Sequence, residues 1–276
     1  MPISWFPGHM NKARKELSKL VKRSDLVIEL LDARMPNASR NPLLESIAAT
    51  LPRIFILNKS DLAKDSTTRD WQNYLARKTS TKCLINSIHN PLALKTLLNN
   101  IGELVKHNND PGDSLNLIIA GIPNVGKSSF LNSLCGRKVA KTGNEPAVTK
   151  GQQRIKLDAN TYLIDTPGLL WPKLEDQEAA YKLAALGTIR NTAIDLEDVA
   201  WHMAEHLLNE QLEVLQSRYS FQDRPTVEQL YQFIGDATGA IGKGGTPNFR
   251  KVSETLLNDL RSGKLGLLSL EAPPQA

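Results

Sequence analysis

Apolar positions are arranged in two ways along this chain. Short segments with strand character, most of them rich in apolar residues, occur at Leu26–Leu31, Arg53–Leu57, Lys82–Asn86, Leu115–Ala120, Gln153–Leu157 and Thr161–Ile164. Runs of that length predict strands, and the most continuous of them predict strands buried on both faces. Between them, Asn11–Arg23, Leu43–Thr50, Thr67–Ala76 and Leu92–Val105 place apolar residues every three or four positions, which predicts helices. Strands alternating with helices argue an α/β fold, a doubly wound and mostly parallel sheet with helices on both faces. The last two runs are joined by a turn at Asp158-Ala159-Asn160. From about Leu174 the strand pattern stops. Glu178–Ile189, Leu196–Leu215, Val227–Phe233 and Phe249–Leu260 all carry helical spacing. The expected organisation is a sheet-bearing domain over 1–173 and a small all-helical C-terminal domain over 174–276.

The chemistry collects where strands end. Leu115–Ala120 leads into Gly121-Ile122-Pro123-Asn124-Val125-Gly126-Lys127-Ser128-Ser129, and Phe130-Leu131-Asn132-Ser133-Leu134 continues as a helix. A strand, a glycine-bearing loop and a helix N-terminus make a phosphate cradle, because the N–H groups from Asn124 to Ser129 and the helix dipole attract anions. Lys127 can reach the β- and γ-phosphates and the Ser128 hydroxyl can ligate Mg²⁺. A side chain at Gly121 or Gly126 would block the approach of backbone to phosphate. Asp165-Thr166-Pro167-Gly168 also sits at a strand end; Asp165 is the expected Mg²⁺ organiser, and the Gly168 N–H can sense the γ-phosphate. Thr149, between these motifs, could offer its hydroxyl to Mg²⁺ when the γ-phosphate is present; the alternative is an ordinary loop threonine.

Asn58-Lys59-Ser60-Asp61 follows another strand and selects the base. A carboxylate at Asp61 can accept from the N1–H and exocyclic amine of guanine, donors that adenine lacks in that arrangement. The Lys59 stem can lie over the base, Asn58 can brace neighbouring loops, and Asn86-Ser87 would close over the base. An ATP-using enzyme on the same phosphate loop is the competing reading, and Asn58-Lys59-Ser60-Asp61 opposes it.

Composition changes little in this picture. The chain has 276 residues, of which 41% are apolar and 23% charged, with a net charge of +5 that leans toward an anionic partner. Cys83 and Cys135 form no metal-ligand spacing or disulfide framework, and the start Met1-Pro2-Ile3-Ser4-Trp5 lacks a secretory apolar segment. No apolar run reaches membrane-spanning length, so a soluble cytoplasmic protein is expected.

The motif order is inverted. In Ras-like GTPases the phosphate loop comes first and the guanine-reading motif late; here Asn58–Asp61 precedes Gly121–Ser128 and Asp165–Gly168. The arrangement resembles the circularly permuted P-loop GTPases. With Trp5-Phe6-Pro7-Gly8-His9-Met10 and Asp32-Ala33-Arg34-Met35-Pro36, the chain resembles the ribosome biogenesis GTPase A family, bacterial GTPases with mitochondrial relatives. The resemblance spans nearly the whole chain, including Lys243-Gly244-Gly245 and Asp259-Leu260-Arg261, where it is less close. It implies GTP hydrolysis to GDP with Mg²⁺, stimulated by the large (50S) ribosomal subunit late in its maturation, by a monomer that contacts rRNA. A GTP-regulated RNA-binding or signalling switch is the alternative. The neighbour of Asp165-Thr166-Pro167-Gly168 is Leu169, whose side chain cannot orient water. The family implies His9 in that role, against a histidine packed beside Trp5 and Phe6. The family likewise implies that Asn124 can coordinate K⁺, against an asparagine that braces the turn. It makes the helical domain, with Lys243, Arg250, Lys251, Arg261 and Lys264, an RNA-binding one; the residues alone also fit a solvated cap.

Overall fold

The computed structural model describes residues 10–105, 114–140, 153–166, 176–189 and 194–274. Its chain divides into two compact units. Leu174–Leu268 belong to one, and Ser4–Lys173 together with Ser269–Ala276 to the other.

The second of these units holds a six-stranded sheet. β1 (Leu26–Asp32), β2 (Arg53–Asn58), β3 (Thr81–Ile85), β4 (Leu115–Gly121), β5 (Gln153–Lys156) and β6 (Thr161–Asp165) lie in the order β3-β2-β1-β4-β6-β5. All neighbours run parallel except β5, which pairs antiparallel with β6 at the edge. β1 and β2 are buried at every position, as expected of strands covered on both faces. On one face, Leu17 and Val21 of α1 (Met10–Val21) and Leu44 of α3 (Pro42–Ile47) pack with Val27, Ile118 and Ala120. On the same face, Trp71 and Leu75 of α4 (Asp65–Leu75) pack with Leu31, Phe55, Leu57 and Cys83. That burial pushes the Cys83 thiol up to about 12, so it stays protonated.

Between these clusters lies a buried ion pair that the apolar pattern does not announce. Arg53 Nη1 donates to Glu29 Oε2 at 2.8 Å, and the Asn41 N–H donates to Glu29 Oε1 at 2.8 Å. The Asn41 side chain in turn accepts from Leu43 and Leu44, so the charged pair fixes where α3 begins. Pro42 occupies the first helical turn, and the helix ends at Ile47, shorter than the expected Leu43–Thr50. α2 (Pro36–Ser39) follows β1, α5 (Leu94–Leu104) precedes β4, and α6 (Lys127–Leu134) follows it.

The helical unit comprises α7 (Gln177–Ala185), α8 (Leu196–Glu210), α9 (Leu212–Tyr219), α10 (Val227–Thr238) and α11 (Phe249–Ser262). Its core includes Met203, Leu207, Leu230, Ile234, Leu256 and Leu260, each fully buried. The expected single helix over Leu196–Leu215 is broken at Gln211, whose φ of −145° leaves the helical region. The break lets α9 start in a new direction and bury Val214, Leu215 and Tyr219. Asp259, 3% exposed, accepts from Arg218 Nε at 2.8 Å and from the Tyr219 hydroxyl at 3.3 Å. Burial and the adjoining Asp259 carboxylate both hold the Tyr219 phenol above its ordinary range.

The residues after Leu268 depart from the sequence expectation, which assigned 174–276 to the helical domain. Ser269–Ala276 group with the sheet-bearing unit. The reason is local hydrogen bonding: the Leu270 N–H donates to the Arg34 carbonyl at 2.7 Å, and the Glu271 carboxylate accepts from Asn37 and Ala38. Among the described residues, no helix is long and apolar enough to cross a membrane.

Candidate functional site

Parallel strands deliver their C-terminal ends to one edge of the sheet, where ligands of doubly wound folds bind. The register aligns the motifs there. Asp32 pairs with Asn58, Leu57 with Ile85, Leu30 with Gly121, and Ile119 with Asp165. Residues distant in sequence, from β1, β2, β3, β4 and β6, thus end side by side.

Two loops at this edge are tied together. Asn58 Nδ2 donates to the Val125 carbonyl at 2.8 Å, and Asn58 Oδ1 accepts from Asn86 Nδ2 at 2.6 Å. One buried side chain therefore joins the base-selecting segment, the phosphate loop and the end of β3. Lys59 adds a second tie: its Nζ donates to the Asn124 carbonyl at 2.8 Å and to Asp32 Oδ2 at 3.1 Å. Lys59 and Asn124 both adopt left-handed backbone, with φ of 58° and 61°. Such conformations persist in non-glycine residues only where the surroundings hold them. The Ser60 hydroxyl donates to the Asn86 carbonyl at 3.1 Å, and Ser87 Oγ accepts from the Asn90 N–H at 2.8 Å. Asp61 lies half-buried in a 3₁₀ turn over Ser60–Leu62.

Asp32 stands in the sequence only as part of the Asp32-Ala33-Arg34-Met35-Pro36 motif, and the structure gives it a task. Arg34 grips its carboxylate with Nε at 3.0 Å and Nη2 at 2.9 Å, while Lys59 approaches the second oxygen. Burial alone would raise the Asp32 pKa; the cations Arg34 and Lys59 outweigh it and hold the group well below the usual carboxylate range. An aspartate at a strand end two residues before an arginine was the available signal.

At the phosphate loop, Gly126 has φ of 95° and caps α6. A Cβ there would stand 2.5 Å from Asn58 Nδ2, so the loop closes only over glycine. Lys127 is buried on the first turn of α6 and ion-pairs with Asp165 Oδ1. Asp165 Oδ2 is also buried and has no hydrogen-bond partner among the described residues. A buried, unsatisfied carboxylate oxygen is costly and calls for a cation. These features fit a Mg²⁺–nucleotide complex: Lys127, Ser128 and Asp165 would hold it, and Mg²⁺ would neutralise charge between the β- and γ-phosphates. Ser128 is half-buried and Ser129 exposed beside it. His9, Thr149 and Gly168, with roles expected from the sequence, lie outside the described residues.

A model of the family described as "50S ribosome-binding GTPase" matches residues 116–230. The chain is 40% identical to ribosome biogenesis GTPase A of Bacillus licheniformis over 99% of each chain. The chain belongs to the ribosome biogenesis GTPase A family. It is 31% identical to mitochondrial GTPase 1 of Schizosaccharomyces japonicus, covering 98% of this chain and 90% of that one. The GNP-bound structure of YlqF from T. maritima superimposes with a TM-score of 0.66 at 23% identity, covering 96% of this chain and all of that one. Membership makes the chain a GTPase, and its fold is that of a circularly permuted P-loop enzyme.

Of the basic residues considered in the helical unit, Arg261 has an internal task. Its Nε donates to the Ala185 carbonyl at 2.6 Å and its Nη2 to the Ala184 carbonyl at 3.1 Å, closing the C-terminus of α7. Lys243, Arg250 and Lys251 are exposed.

Proposed function

We propose that this GTPase acts late in assembly of the large (50S) ribosomal subunit, binding the subunit in its GTP state and leaving after hydrolysis. The observation that supports this most is the joining of the base-selecting and phosphate loops through Asn58 and Lys59, in a chain whose relatives are named for ribosome biogenesis. A site built this way can hold guanine and triphosphate as one rigid ligand, which a timing switch requires. In this reading Asn58, Lys59, Ser60, Asp61, Asn86 and Ser87 hold the base, and Asn124 to Ser129 and Gly168 hold the phosphates. Ser128, Thr149 and Asp165 hold Mg²⁺, and Lys127 and Thr149 stabilise charge as it develops on the phosphates. His9 accepts a hydrogen bond from the attacking water in its neutral form and orients it, the role a glutamine has in Ras. Asn124 offers a K⁺ site. The helical unit contacts rRNA backbone through Lys243, Arg250 and Lys251, and the protein works as a cytoplasmic monomer.

The test is GTP turnover in potassium buffer, with and without purified large subunits, for wild type and His9→Ala. Stimulation of the wild type, lost in a variant that still binds GTP, is the expected result. Large subunits that neither bind nor stimulate would overturn the ribosomal assignment and leave the GTPase.

A further inference from the structure

The guanine-reading loop is held at both ends by a segment more than two hundred residues away in sequence. At the near end, Lys59 rests on Asp32, Asp32 on Arg34, and the Arg34 carbonyl accepts from the Leu270 N–H at 2.7 Å. At the far end, where the loop leads into α4, the Lys64 N–H donates to the Ser269 hydroxyl at 3.2 Å. The Glu271 carboxylate accepts from the N–H groups of Asn37, at 2.7 Å, and Ala38, at 3.1 Å, in α2. At the other end of α2, Ser39 Oγ accepts from the Asp32 N–H at 3.1 Å, so α2 links Glu271 to Asp32 as well. Trp71 Nε1 closes the set by donating to the Glu271 carbonyl at 3.2 Å. Ser269 and Leu270 are buried.

These contacts meet a specific need. Lys59 sits in left-handed backbone, which is strained for a non-glycine residue and relaxes unless its neighbours over-determine it. Its ammonium is anchored to the Asp32 carboxylate, so any drift of the β1–α2 turn moves the loop that carries Asp61. None of Ser269, Leu270 and Glu271 belongs to a sequence motif of the nucleotide site.

We propose that Ser269–Glu271 are positioning residues for guanine recognition: they hold the Asp32 turn and the Lys59–Asp61 loop in the geometry that reads the base. The proposal rests on the reading of Asn58–Asp61 as the base site. It assigns to this segment a part of the affinity for guanine nucleotides and of the discrimination against other bases.

The test compares wild type with Glu271→Ala, Glu271→Gln and Ser269→Ala in the full chain, measuring KM and kcat for GTP and for ITP, whose base lacks the exocyclic amine. Glu271→Ala removes both acceptor oxygens from the α2 N–H groups and acts on the base through coupling alone, so it should raise KM for GTP about threefold to tenfold. Its kcat at saturation should stay within about twofold, because uniform binding is what is lost. The preference for GTP over ITP should shrink. Glu271→Gln, which keeps one acceptor oxygen toward Asn37 and Ala38, should recover most of both, and Ser269→Ala should show a smaller version of the Ala effect. A merely structural role would lower the active fraction, and with it apparent kcat, at unchanged KM and unchanged preference; that outcome overturns the proposal. If wild type prefers GTP and Glu271→Ala keeps both KM and preference, the proposal alone falls. If wild type shows no base preference, the base-site reading falls and takes the proposal with it.

Discussion

Asp32 carries two positive charges on one buried carboxylate, and its ionisation is tied to folding. The unfolded chain protonates an aspartate near pH ~3.9, whereas in the folded protein Arg34 and Lys59 hold this group ionised to lower pH. The unfolded state therefore binds the proton first. The resulting stabilisation is fully present above the ordinary aspartate range and is lost as pH falls below it toward the depressed folded value. Asp32→Asn should cost ~3–5 kcal/mol at neutral pH, by leaving the buried Arg34 uncompensated, and should flatten the acid side of the stability curve. Denaturant melts at a series of pH values check both. Asp61 makes a different prediction, since its half-buried carboxylate is the one proposed to read the base. Asp61→Ala should raise KM for GTP by about tenfold to a hundredfold, with little change in melting temperature. The residues of these motifs were legible because phosphate and guanine chemistry demand particular side chains at fixed offsets from a strand end. The Asp32–Arg34–Lys59 group was legible only as a motif without a task, because its partners are brought together by β1–β2 register.

The strands were legible at the scale of elements. Each of the six lies within a residue of the segment that predicts it, most plainly β1 and β2, which are buried at every position and so need apolar side chains in succession. Helices with solvent on one side were less well marked. The break at Gln211 has no glycine or proline to announce it, and the return of Ser269–Glu271 is made of backbone and carboxylate hydrogen bonds that leave no periodic trace. Arg261 is a further case: its composition suggested a nucleic-acid contact, while its geometry closes α7. Burial there lowers the Arg261 pKa, yet the group remains a cation donating to two carbonyls. Arg261→Ala should destabilise the protein by ~1–3 kcal/mol, and the exposed Lys251→Ala by less than ~0.5 kcal/mol; thermal melts of the two variants separate the roles.

For the whole molecule, the proposed division of labour between a nucleotide-binding sheet and a helical unit that exposes Lys243, Arg250 and Lys251 makes the charge at those positions the variable to change. Arg250→Glu with Lys251→Glu should weaken binding to large subunits and reduce its salt dependence by about one unit of slope per phosphate contact removed, without altering the KM for GTP in their absence. Sedimentation at several salt concentrations reads the first effect and steady-state kinetics the second. The discontinuous make-up of the sheet unit also sets an order of completion in time. Glu271 and Asn37 are 234 positions apart, so at a synthesis rate of ~5–20 residues per second the second emerges about ten seconds or more before the first. During that interval the nascent chain can assemble its parallel strands and phosphate loop, but the base-reading loop lacks its distal support. A ribosome stalled before codon 269 would thus display a sheet able to grip phosphate and slow to distinguish one purine from another.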